Sequence, residues 1–330
     1  MRQARSERFS ISVADQTLAT FQRTCHWRIA MAAASNAILT RIAIGSLAVG
    51  VAVLALKGFA AYATGSLALF SDALESIVNV VTAAVALVAV RLAQKPADAA
   101  LPYGYHKAEY FSAVIIGVFI SVAALVIFYR AYQGFIAPAG FTADPLGLTV
   151  SMIATVINAA WAWMLLRTGG KEKSPALIAD GRHLLTDVFS TVGVLIGVLL
   201  AAATGWIILD PLLAAFVGVT ILWSGWRVIR LSVIGLMDVA VEPNRLTTIR
   251  DTIQNEAEGA IEAHDIRTRQ AGRVTFIEFH LVVPGAMSVE AAHAICDRIE
   301  ARLRTMVDEA QITIHVEPED KAKHSGIVVV

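Results

Sequence analysis

Charge is scarce in this sequence: only 16% of its 330 residues are Asp, Glu, Lys or Arg, against 56% that are hydrophobic. With a mean hydropathy of +0.63, that scarcity excludes a soluble domain of ordinary composition, in which about a quarter of residues are charged. An excess of either sign is missing too, since 27 basic side chains meet 27 acidic ones. No basic run interleaved with aromatics occurs, so the phosphate-neutralising surface that a nucleic-acid partner requires is not expected. Cysteine is rare: Cys25 and Cys296 stand far apart and outside any CxxC spacing, which excludes a disulfide framework or a thiolate cluster. Neither a phosphate loop nor a nucleophile-base arrangement is visible, so an enzyme is not expected. The first 35 residues carry Arg2, Arg5, Arg8, Arg23 and Arg28, without the apolar core and small-residue cleavage site of a signal peptide.

Long apolar runs take the place of what is missing. A hydrocarbon core of about 30 Å needs about 20 apolar residues per helix, and six windows of that length occur, near 42–63, 66–90, 111–129, 146–166, 175–204 and 211–227. Lys and Arg gather on the cytoplasmic side of a membrane protein. Here Arg91, Lys95 and Lys107 fall between windows two and three, and Arg167, Lys171 and Lys173 fall between four and five. The alternate connections hold no Lys or Arg, so both termini are expected in the cytoplasm.

From about 241 the pattern becomes that of a soluble domain. Alternation in 274–283 and 311–317 predicts two strands, and 247–258 and 289–306 predict amphipathic helices. The expected division is an amino-terminal segment over 1–35, a six-helix membrane domain over 36–238, a compact α+β domain over 239–318 and a flexible tail over 319–330.

An ionisable side chain at mid-bilayer costs about 3 kcal/mol on insertion scales, so such residues face a bundle interior and mark a path for ions. Two pairs with i,i+4 spacing meet this description: Glu75 and Asn79 in window two, His183 and Asp187 in window five. That spacing puts both members on one helix face, a turn apart. The two copies share a pattern, Asp72, Glu75, Asn79, Val80 against Asp180, His183, Asp187, Val188. Three oxygen ligands and one imidazole suit Zn²⁺, Fe²⁺, Co²⁺ or Mn²⁺ better than Cu⁺. Because imidazole titrates near neutral pH, the same residues suit exchange of a cation for a proton. Taken alone, the intramembrane acids also fit a proton or sodium relay in a channel or a non-metal transporter, and Asn79 fits a transport-inactive sensor. Four of the chain's eight histidines fall in the carboxy-terminal domain, and a relay leaves them unexplained.

Several motifs resemble the cation diffusion facilitator family. They are GSLALFSDALE at 65–75, ADGRHLLTD at 179–187, KPAD at 95–98, YGYHKAE at 103–109 and AHDIRTR at 263–269, in a likeness running from about 40 to 318. Among its members the chain is most similar to the bacterial zinc and iron exporters. The resemblance implies a homodimer in the inner membrane that exchanges divalent cations for protons by alternating access. It also implies a small cytoplasmic domain of ferredoxin or metallochaperone type. Glu75, Asn79, His183 and Asp187 fall on the transport ligands, where the family more often has Asp or His followed by Asp. His264, His280, His293, His315 and Glu317 fall on the ligands of a cytoplasmic metal site that regulates transport. A loop site built in relatives from an Asp and two His keeps Asp98 here, but Leu101 and Tyr105 fill the His positions, so its absence is expected. The resemblance also implies a salt bridge between Lys107 and Asp238. Metal enters as substrate and regulator, and no further cofactor is implied.

Overall fold

A computed structural model describes residues 35–60, 62, 67–136, 145–204, 208–307, 309–324 and 326–328. The expected segment 1–35 therefore lies almost wholly outside the described residues. Six long helices come first: α1 (Ser35–Ala60), α2 (Leu67–Ala93), α3 (Ala108–Ile136), α4 (Pro145–Lys171), α5 (Pro175–Thr204) and α6 (Leu209–Leu236). Among the described residues α1, α2, α3, α4 and α6 meet the length and hydropathy of a membrane span, and α5 carries Asp180, Arg182 and Asp187 in its first half. At 27 to 29 residues, α2, α3, α4 and α6 outrun the expected windows, while α5 coincides with its window at 175–204. The extra turns bear polar and aromatic groups that a hydropathy window trims.

Small residues set how closely the helices pack. Along the α3–α6 contact, a Cβ on Gly117 would stand 2.7 Å from the Ile229 side chain, and one on Gly225 would stand 3.2 Å from the Gly117 carbonyl. Backbones approach this closely in lipid because dispersion, rather than water expulsion, holds membrane helices together. The bundle core is built from Leu39, Ile116, Ile120, Leu165, Leu177 and Ile221 with many alanines among them.

The rest of the chain forms an α+β domain with its own core, centred on Ile253, Ile277, Phe279, Leu281, Ile299 and Leu303. Its elements are α7 (Pro243–Glu256), β1 (Glu262–Ala271), β2 (Val274–Val283), α8 (Val289–Met306), β3 (Ala310–Pro318) and β4 (Ile327–Val328). Pro243 opens α7, and the Ser288 hydroxyl caps α8 by accepting the Ala291 N–H at 3.2 Å. The sheet order is β3-β2-β1-β4. β1 and β2 form an antiparallel hairpin turned by Gly272 and Arg273, with Gly272 at a φ of +58°. β2 and β3 are parallel, joined by α8 as a crossover.

Two expectations change. The helix, strand, helix, strand order lacked β1, whose EAHDIRTRQA sequence is charged and whose register slips between His264 and Arg267. A bulge of this kind destroys the period of two by which a strand is read. The region past 318, expected to be a flexible tail, forms a short 3-10 turn (Glu319–Lys321) and then β4, which pairs with β1.

Two candidate metal sites

Inside the bundle, α2 and α5 carry the predicted membrane ligands. Asn79 Nδ2 donates a hydrogen bond to Asp187 Oδ2, joining the second member of each i,i+4 pair. Asn79 and His183 are buried, and Asp187 is half-buried. Among the described residues, Asn79 Oδ1 and both ring nitrogens of His183 have no hydrogen-bond partner. Buried polar atoms of native proteins are satisfied in the great majority of cases, so three orphaned ligand atoms on neighbouring helices need a cause. Glu75 lies on α2 one turn before Asn79, and its side chain falls outside the described residues.

Asp180 has a different task. It is fully buried and accepts a hydrogen bond from Ser46 on α1, so it ties α1 to α5 below the ligand pair. On α5 the repeat noted in the sequence thus combines a candidate ligand pair with an acid bonded to α1.

The second site lies on the sheet. His264 is directly opposite His280, and His280 is directly opposite His315, so the three imidazoles form one row across β1, β2 and β3. Adjacent strands are about 4.8 Å apart, and the ring centroids follow that spacing at 5.2 and 5.0 Å. Glu317, two residues beyond His315, shares its face and reaches all three. Its oxygens are 3.3 Å from His264 Nε2, 3.1 Å from His280 Nδ1 and 3.7 Å from His315 Nε2. Ligand atoms of His264, His280 and Glu317 all lie within 4.8 Å of one another, as a single cation would need them.

His293 does not join this row on its own chain. It projects from α8, well exposed, with Nε2 3.7 Å from Asp297. A residue that the sequence reading passed over does approach the row: the buried Glu262 carboxylate is 3.7 Å from His264 Nδ1 and accepts the N–H groups of His324 and Gly326. At that distance the carboxylate acts on the ring through its charge, and its own hydrogen bonds go to the backbone near β4. The signal was the i,i+2 spacing of Glu262 and His264, which has meaning only on a strand.

In the α2–α3 loop, Asp98 accepts the Tyr105 hydroxyl at 2.6 Å and the N–H groups of Ala100 and Leu101 at 2.9 and 2.8 Å. The Tyr105 bond, reinforced by that from Leu101, holds the Asp98 carboxyl below its usual range. Its oxygens are committed to folding the loop. Close by, Lys107 Nζ is 2.9 Å from Asp238, as the family resemblance implied, and also donates to the Leu236 carbonyl at 3.2 Å.

Comparison with known proteins bears on both halves. Residues 43–237 match the family described as the cation efflux transmembrane domain, and 241–319 match the cation efflux protein cytoplasmic domain. An uncharacterised transporter of Synechocystis is 41% identical over 281 residues, covering 85% of this chain and 91% of that protein. The cation-efflux pump FieF of Klebsiella pneumoniae is 31% identical, covering 85% and 93%. Among solved structures, the Zn form of CzrB is similar at 45% identity over 26% of this chain and 98% of its own, with a TM-score of 0.25. The metal-bound carboxy-terminal domain of CzcD from Thermotoga maritima is similar at 28% identity over 25% and 100%, with a TM-score of 0.23. With both matches falling in order along one chain, this protein belongs to the cation diffusion facilitator family of multi-pass divalent-cation efflux transporters.

Proposed function

We propose that the chain exports divalent transition-metal ions, Zn²⁺ and Fe²⁺ foremost with Mn²⁺, Co²⁺ and Cd²⁺ behind, in exchange for protons. It works as a homodimer in the inner membrane with both termini in the cytoplasm, and Glu75, Asn79, His183 and Asp187 are the transport ligands. The observation that carries this reading is the set of orphaned, buried ligand atoms on Asn79 and His183 beside the Asn79–Asp187 bond. Two carboxylates, Glu75 and Asp187, neutralise one divalent ion, and the imidazole adds the nitrogen that borderline metals favour. An ion entering from the cytoplasm binds the quartet, the helices rearrange, and it leaves outward as a proton replaces it on His183 or a carboxylate.

The sheet site reads as a regulator. His264, His280, His315 and Glu317 converge, so metal there stabilises one arrangement of the domain and biases transport through differential affinity. His293 belongs to this ligand set only by reaching it from a second copy, because on its own chain it stands apart. The transport reading is tested by Asp187→Ala in proteoliposomes loaded with a pH-sensitive dye. Zn²⁺-driven proton flux should fall by at least about tenfold, and undiminished flux in a correctly inserted variant would remove Asp187 from the path.

A further inference from the structure

α1 is apolar enough over an 18-residue stretch to cross a membrane, yet it contains Lys57, which is only 6% exposed. A buried charge in a membrane helix is costly and persists where it borders a polar path. Here the path is a narrow recess lined by Lys57 from α1, Thr155 and Asn158 from α4, and Asp187, Ser190 and Thr191 from α5. Ser190 and Thr191 donate their hydroxyls to the Asp187 backbone carbonyl, at 3.1 and 3.0 Å. Those two hydroxyl hydrogens are thus not aimed at the Asp187 carboxylate. A fixed positive charge and one acid of the transport quartet therefore line the same small cavity, on separate helices.

We infer that Lys57 is a tethered counter-cation of the transport site, whose charge weakens the quartet's hold on a divalent ion and hastens its release. The inference rests on the proposed role of the quartet. With Glu75 and Asp187 ionised, the ligands carry two negative charges, so Lys57 leaves the empty site at net minus one and the loaded site at plus one. Charges in a low-dielectric interior interact over many ångströms, and salt screens them little. Lys57 thus disfavours the loaded state and partly compensates Asp187 when the ion departs, so the acid is never left as a lone carboxylate in lipid. The residue sets affinity and release without having to touch the metal.

The test is zinc flux through the full-length protein in proteoliposomes, comparing the parent with Lys57→Met, Lys57→Gln, Lys57→Arg and Asp187→Ala. Removing the charge should lower the KM for Zn²⁺ about tenfold and reduce the maximal rate, because a tighter ion leaves more slowly. Lys57→Arg, which keeps the charge, should keep the parental KM. Should Lys57→Met fail to assemble, the contrast between Lys57→Gln and Lys57→Arg decides the matter by itself. An unchanged or raised KM in the neutral variants overturns the inference, as does a KM that Lys57→Arg shifts equally far. Flux that survives Asp187→Ala overturns the quartet instead. Flux lost in Asp187→Ala, beside an unaltered KM in Lys57→Met, sinks Lys57 alone.

Discussion

At position 79 an amide stands where a carboxylate would add a third negative charge to the membrane ligands, and its Nδ2 donates to Asp187 across the α2–α5 contact. A donor at that point holds the two helices together without a buried like-charge pair, and it leaves Oδ1 turned to other use. Asn79→Asp would replace the hydrogen bond by facing carboxylates. An ion that neutralises both should then be held more tightly, with the KM for Zn²⁺ reduced about tenfold and outward release slowed. The concentration dependence of flux measures this, and a raised KM would contradict the charge argument. Which residues share a helix face inside the membrane was legible from spacing alone, since i,i+4 places two side chains one turn apart. That Asp180 is instead a structural acid was not legible, because its partner Ser46 comes from a helix more than a hundred residues away in sequence.

Among the elements, the sheet shows how register creates a site. His280 is the middle of the row, near both His264 and His315 and 3.1 Å from Glu317. The α+β domain has its own hydrophobic core, so a 239–328 fragment is a suitable object for zinc titration. A ligand at about 100 times its Kd stabilises by about 2.7 kcal/mol. His280→Ala should abolish most of that gain, and His293→Ala, exposed on α8, should keep it in the monomeric fragment. Thermal unfolding with and without Zn²⁺ reads the difference, and equal losses in the two variants would place His293 in the monomer's site. From the sequence, β3 showed its pair of ligands because Ile312, Ile314 and Val316 alternate cleanly with polar residues. β1 hid the buried Glu262, because the bulge after His264 interrupts the alternation that would reveal a strand.

For the molecule as a whole, the junction between the two parts is polar and specific. Lys107 and Arg269 both pair with Asp238, at 2.9 and 3.3 Å. Arg273, at the β1–β2 turn, donates to Ser35 and Asn36 at the start of α1, at 2.8 and 2.5 Å. Gly272 lies so close that a Cβ would stand 3.1 Å from the His106 carbonyl. The β1–β2 turn is therefore bonded directly to the start of α1, the helix that bears Lys57. The hydrogen bond from Lys107, with help from Arg269, holds the Asp238 carboxyl below its usual range. A depressed carboxyl contributes stability above its unfolded value, about 3.9, and loses it as pH falls through the lower folded value. Asp238→Asn should therefore lower the unfolding temperature by a similar amount at every pH from 5 to 8, corresponding to at most about 1 kcal/mol because the pair is partly exposed. The gap between variant and parent should close below about pH 4. A gap that widens in acid would refute the assignment.

The sequence by itself determined that the chain enters a bilayer, where its apolar runs fall, which polar residues within them are candidate ligands, and where the soluble part begins. Each of these is written in local composition or in the short period of one element, and a bilayer allows few alternatives. Only the tertiary structure decided what distant residues do together: that Asn79 meets Asp187, that three histidines align across strands, that Asp180 bonds to Ser46 on α1, and that Lys57 shares a cavity with Asp187. The physical reason is that a charge or a ligand acts through space, and the separation of two side chains across helices or strands is set by packing and register, which a linear pattern does not contain.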